Sequence, residues 1–166
     1  MSASAKVMLL GEIGVGKSSL ARRFVFDRFE ADYKSTIGVD ILTHDVTLAD
    51  GNTLRLVLWD TDGEFGARIF ETVYVKGASG ALIVSDATRP ATLGKAARLA
   101  TDFAAAFPGR PSQVIVNKTD LADFEPKAFE TAGIAAGSVL RTSALTGEGV
   151  QALFCAIASD IVRRGL

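Results

Sequence analysis

The sequence has one cysteine, one tryptophan and four prolines among its 166 residues. A single thiol, Cys155, cannot form an internal disulfide, which fits a reducing compartment. It lies beside a helical apolar stripe and reads as a small packed side chain in preference to a reactive thiol. Long hydrophobic runs are missing too: the longest are far too short to cross a bilayer. The first ten residues hold only Val7–Leu10 as an apolar stretch, so no secretory signal is expected. Neither sign of charge dominates. With 18 basic and 19 acidic residues the net charge is -1, which argues against a general attraction to nucleic acid or to an anionic membrane surface. No repeat, linker or low-complexity tract interrupts the chain. With 48% apolar and 22% charged residues, one folded domain over 1–166 is expected, large enough to bury a core without disulfides or a structural metal.

What the sequence does have is alternation. Val7–Leu10, Ala81–Val84, Val114–Val116 and Val139–Leu140 are short apolar runs, as expected of strands covered on both faces in a parallel sheet. Asp50-Gly51 between Val46–Leu48 and Leu54–Trp59 signals a hairpin, hence one antiparallel edge. Between the runs, Ala96, Leu99, Ala100, Phe103 and Phe107 recur at helical spacing, in a helix that starts near Pro90 and stops before Pro108. Val150, Leu153, Phe154, Ile157 and Ile161 repeat the pattern. The expected fold is a three-layer α/β sandwich: a mainly parallel six-stranded sheet with one antiparallel edge strand and about five helices.

Gly11-Glu12-Ile13-Gly14-Val15-Gly16-Lys17-Ser18 follows the first run and opens a helical segment, the context that gives the pattern G-x-x-x-x-G-K-[ST] its meaning. Such a loop turns backbone N–H groups toward an anion, adds the positive end of a helix, supplies Lys17 against phosphate charge and offers the Ser18 hydroxyl to magnesium. Downstream, Asp60 at a strand end can hold a metal's coordination shell, and the Gly63 N–H can approach a terminal phosphate. Ligands of such sheets bind at the carboxyl ends of the strands, where each of these motifs falls.

Asn117-Lys118-Thr119-Asp120 follows another strand. A carboxylate such as Asp120 can accept from both guanine N1–H and the 2-amino group, a donor pair adenine lacks. Asn117 can tie this loop to the phosphate loop, and the Lys118 stem can lie over a flat base. Taken alone, the tetrapeptide could equally be a surface turn. Thr142-Ser143-Ala144, after the next strand, can present a backbone N–H to guanine O6.

Taken in order, these residues resemble the Ras superfamily, a family of P-loop NTPases, and Phe29–Asp40 with Tyr33-Lys34-Ser35-Thr36-Ile37-Gly38-Val39-Asp40 is most similar to its Rab branch. The resemblance implies a monomeric, cytoplasmic switch that binds GTP or GDP with Mg2+ and hydrolyses GTP. It implies that Thr36 joins Ser18 and Asp60 at the magnesium and reads the terminal phosphate through its N–H. It also implies that Phe29 packs beside the guanine, that Tyr33 covers the phosphates, and that Val15, Ser35, Ser143, Ala144 and Leu145 complete the nucleotide contacts. Phe29–Asp40 and Gly63–Val73 become mobile switches. Exchange factors, GTPase-activating proteins and effectors are implied to meet residues 29–41 and 63–74. Trp59 and Tyr74 match aromatic effector positions and serve equally well as ordinary sheet packing, while Ile41 replaces the third.

The sequence also departs from that family. Glu64 stands where a glutamine usually orients the attacking water, Asp62 replaces an alanine, and Ile13 puts a β-branched side chain where a partner's arginine would enter. A carboxylate can accept from water but cannot donate to the transferring phosphoryl group, so slow hydrolysis is expected, with Lys17, Thr36, Gly63 and Glu64 as the catalytic set. The alternatives are a GTP-binding interaction module with negligible hydrolysis and, less in keeping with Asp120, a phosphate-loop kinase or ATPase. The closing residues, Arg163-Arg164-Gly165-Leu166, contain no prenylatable cysteine, so membrane association is expected through a partner.

Overall fold

The structure is a computed structural model that describes residues 3–29, 38–61, 63–125, 127–130, 134 and 138–166. Six strands, β1 (Ala3–Gly11), β2 (Val39–Thr47), β3 (Thr53–Thr61), β4 (Gly80–Asp86), β5 (Ser112–Asn117) and β6 (Leu140–Arg141), form one sheet in the order β2-β3-β1-β4-β5-β6. Among the described residues only the β2–β3 pair is antiparallel, and its Asp50-Gly51 turn is stabilised by Asp50 accepting from the Asn52 backbone N–H at 2.9 Å. The other pairings are parallel, as expected where helices cross over between strands.

Strand β1 explains the layering. Its side chains alternate, so Val7 and Leu9 join one core while Met8 and Leu10 join another on the opposite face. The first core is roofed by α1 (Lys17–Phe26) and α4 (Val150–Arg163), where Phe24 stacks on Phe154 at 4.0 Å between ring centroids. The second is roofed by α2 (Ala91–Ala106), which buries Leu93, Ala96, Leu99 and Phe103. Phe107, expected inside α2, caps it, because Pro108 cannot continue the helix. The α4 stripe is buried at all five positions that the spacing picked out. Cys155 is half-buried against the first core.

The helix count differs from expectation. Among the described residues three helices are long, α1, α2 and α4; a four-residue α3 (Lys127–Glu130) and 3-10 helices at Gly63–Glu71 and Val73–Val75 complete the set. Glycine at 63 and 66 and β-branched Ile69, Thr72 and Val73 all weaken an α-helix there. His44 is half-buried, edge-on to Phe24 at 4.6 Å. Among the described residues no helix is long and apolar enough to cross a membrane.

Phe154 is fully buried, and Phe26, two residues from Phe24 and therefore on the opposite side of α1, is half exposed. Urea unfolding should therefore show Phe154→Ala losing about 3 to 5 kcal/mol, and Phe26→Ala changing stability by no more than about 0.5 kcal/mol.

Candidate functional site

The carboxyl ends of β1, β3, β4 and β5 bring the motifs together. Register pairs Leu9 with Asp60, Gly11 with Val84 and Asp86 with Asn117, so four loops leave the sheet side by side. The loop after β1 leads into α1 through Gly16, whose φ of 104° is a left-handed conformation that favours glycine. A Cβ there would also sit 2.2 Å from Asn117 Nδ2. No side chain caps α1, so its first-turn N–H groups retain the character of an anion site.

The carbonyls of this loop are held by side chains. Lys17 Nζ donates to Gly11 O at 2.8 Å and to Glu12 O at 2.9 Å. Arg89 Nη2 donates to Ile13 O at 2.7 Å, Lys118 Nζ to Gly14 O at 2.8 Å, and Asn117 Nδ2 to Val15 O at 3.1 Å. Val15's own side chain lies in the core, leaving only its backbone for a ligand. Asn117, buried, also accepts through Oδ1 from the Thr142 hydroxyl at 3.1 Å and from the Ala144 N–H at 3.2 Å. The Ala144 N–H thus already has a partner inside the protein.

A cleft of about 270 Å³ opens between Gly14, Gly16 and Ser19 on one side and Asn117, Lys118, Asp120, Ala144 and Leu145 on the other, with Phe29 and Leu121 at its rim. Ser143 Oγ donates to Asp120 Oδ1 at 2.7 Å and orients that carboxylate. Leu145 and Phe29 are exposed, so each offers apolar surface beside the cleft. Lys118 adopts φ 64°, unusual for a side-chain-bearing residue, and the strain is balanced by its contacts with Gly14 and with Asp86 Oδ2 at 2.8 Å.

At the other end, Ser18 Oγ donates to Asp60 Oδ2, and both groups are buried. This hydroxyl–carboxylate pair suits a small hard cation that takes oxygen ligands. Among the described residues no three carboxylate, imidazole or thiol side chains gather into a site that would hold a metal by protein ligands alone. Gly63 lies against the phosphate-type loop: a Cβ on it would meet Ile13 N at 2.2 Å and Glu12 C at 2.6 Å. Tyr33, Ser35, Thr36 and Asp62 lie outside the described residues, as does the Glu64 side chain.

Besides Arg89 on the Ile13 carbonyl, two groups that no motif marks complete the site. Asp86, at the end of the buried strand β4, accepts from the Thr88 N–H and hydroxyl at 2.8 and 2.6 Å and is paired with both Lys118 and Arg89. Burial pushes its carboxyl up, but Lys118 and Thr88 together hold it below its ordinary value. Its contribution is thus present above the usual carboxylate range and fades only as pH falls through that lowered pKa. Arg23, on α1, donates Nε to Ala144 O at 2.8 Å and also reaches Leu145 O. An acidic residue ending an otherwise apolar run was the signal for Asp86; Arg23 left none, because its partners lie more than 120 positions away.

Residues 6–163 match the family model described as Ras family. The Ras-related protein RABA2a of Arabidopsis thaliana is 37% identical over 163 residues, covering 95% of this chain and 75% of that protein. RABF2a of the same plant is 35% identical, with 96% and 82% covered. The GTP-binding protein ypt5 of Schizosaccharomyces pombe is 36% identical, with 94% and 77% covered. Members of the family are GTPases and generally bind GTP or GDP with Mg2+. This chain belongs to the Ras family, as a Rab-like member of the Ras superfamily of small GTPases.

Proposed function

We propose that this chain, as one domain over 1–166, is a GTP/GDP-dependent switch that binds guanine nucleotide with Mg2+ and hydrolyses GTP to GDP and phosphate slowly. The observation that carries this reading is the juxtaposition of a loop whose carbonyls are tied by side chains and a cleft lined by Asp120. In it, N–H groups of residues 14–18 and Lys17 receive the phosphates, and Asp120, oriented by Ser143, accepts from the guanine edge. Phe29 and the Lys118 stem flank the base, while Ala144 and Leu145 close its far side.

Ser18 and Asp60, joined by Thr36, would hold the magnesium, which supplies charge neutralisation to the phosphates when bound. Gly63, close to the loop backbone, aims its N–H at the terminal phosphate. Glu64 meets the attacking water with an acceptor where an amide would both accept and donate, and this slows the step. Ile13, 36% exposed on the loop, crowds the approach of an activator's arginine and favours the second reading, a GTP-binding module with negligible hydrolysis. Exchange factors, activators and effectors use residues 29–41 and 63–74. The protein works as a monomer in the cytoplasm, touching membranes through partners.

Purified protein should release GDP or GTP on denaturation, identified by ion-pair chromatography; release of an adenine nucleotide would overturn the reading. Lys17→Ala should weaken GDP binding on the order of a hundredfold, since a buried charged donor is lost. In single-turnover assays Glu64→Gln should hydrolyse GTP at least about tenfold faster than the parent. No acceleration would remove Glu64 as the cause of slow hydrolysis.

A further inference from the structure

Arg89 lies just before α2 in sequence, outside every motif of the nucleotide site, yet its guanidinium reaches the middle of the loop after β1. Nη2 donates to Ile13 O at 2.7 Å, and Nε pairs with Asp86 Oδ2 at 3.4 Å. A Cβ built on Gly14 would lie 3.7 Å from Nη1. Asp86 is held in turn by Thr88 and shared with Lys118, which grips the next carbonyl, Gly14 O. Arg89 is 43% exposed, and an exposed ion pair alone contributes little. The bond to Ile13 O is different, because it fixes the direction of a peptide plane.

Every peptide bond described here is trans. In a planar trans peptide the carbonyl of one residue and the N–H of the next point to opposite sides. A donor that holds Ile13 O on the outer face of the loop therefore turns the Gly14 N–H toward the inner face. Gly14, at φ 78°, has no side chain to resist rotation of that plane, so an external tie is needed to set it. Lys118 does the same for the following plane and Asn117 for the one after.

We propose that Arg89 is a positioning residue for phosphate recognition: through Ile13 O it aims the Gly14 N–H into the cradle, with Asp86 fixing the guanidinium. This rests on the guanine-nucleotide reading above. Arg89 touches no ligand in this scheme and acts through the loop.

Guanosine, GMP and GDP differ only in phosphates, so losing an aimed N–H weakens binding more as phosphates are added, while a loosened base pocket weakens all three alike. In competition titrations Arg89→Ala should weaken GDP about tenfold, as for one charge-assisted hydrogen bond, and guanosine less than about twofold. Arg89→Lys, which keeps a cationic donor, should recover most of the loss, and Arg89→Gln less of it. These two variants carry the test if the alanine variant does not fold. Equal weakening of guanosine and GDP, or no weakening of GDP, would overturn the assignment. A parent chain that takes up no guanine nucleotide would overturn the underlying reading and this inference with it.

Discussion

The side chain of Asn117 is the junction on which the site depends. Its amide N–H anchors Val15 O of the loop after β1, while its carbonyl oxygen accepts from Thr142 and Ala144 after β6. One buried amide thus fixes three chain segments that are far apart in sequence, and Gly16 is required because any Cβ there would occupy the amide's place. Such a group is expensive to bury unless its hydrogen bonds are made, and here both ends are used. Without that junction, the cleft beside Asp120 and the phosphate-type loop would have no fixed relation.

Around it, the loop is held by its carbonyls. Lys17, Arg89 and Lys118 bring three cations to the carbonyls of Gly11, Glu12, Ile13 and Gly14. Lys95 adds a fourth tie through its 2.8 Å pair with the Glu12 carboxylate. Outward carbonyls imply inward N–H groups, which is what an anion cradle needs, and the surrounding positive charge favours the same ligand. The sheet supplies the rigid base: β1, β4 and β5 end in register, so residues that hold the loop come from neighbouring strand ends and from the start of α2.

Much of this was legible in the residues. The hairpin followed from Asp50-Gly51, and the α4 face from its spacing; the position of Gly11–Ser18, Asp60 and Asn117–Asp120 at neighbouring strand ends followed from motif and order. Local patterns failed where long-range pairing decides. Strand β1 runs from Ala3, well before the apolar stretch at Val7, because β3 pairs with it regardless of side-chain polarity. Gly63–Glu71 winds as a 3-10 helix that no spacing in the sequence pointed to. Asp86, Arg89 and Arg23 carry no motif of their own, and their roles arise from contacts that only the folded chain creates.

The central claim is a site selective for guanine nucleotides, and it is tested most directly by competition titration of GTP against ATP on the purified chain with magnesium. GTP should bind tighter by at least about a hundredfold, since Asp120 can accept a donor pair that only guanine presents and loses both bonds against adenine. Equal affinity for the two nucleotides would contradict it.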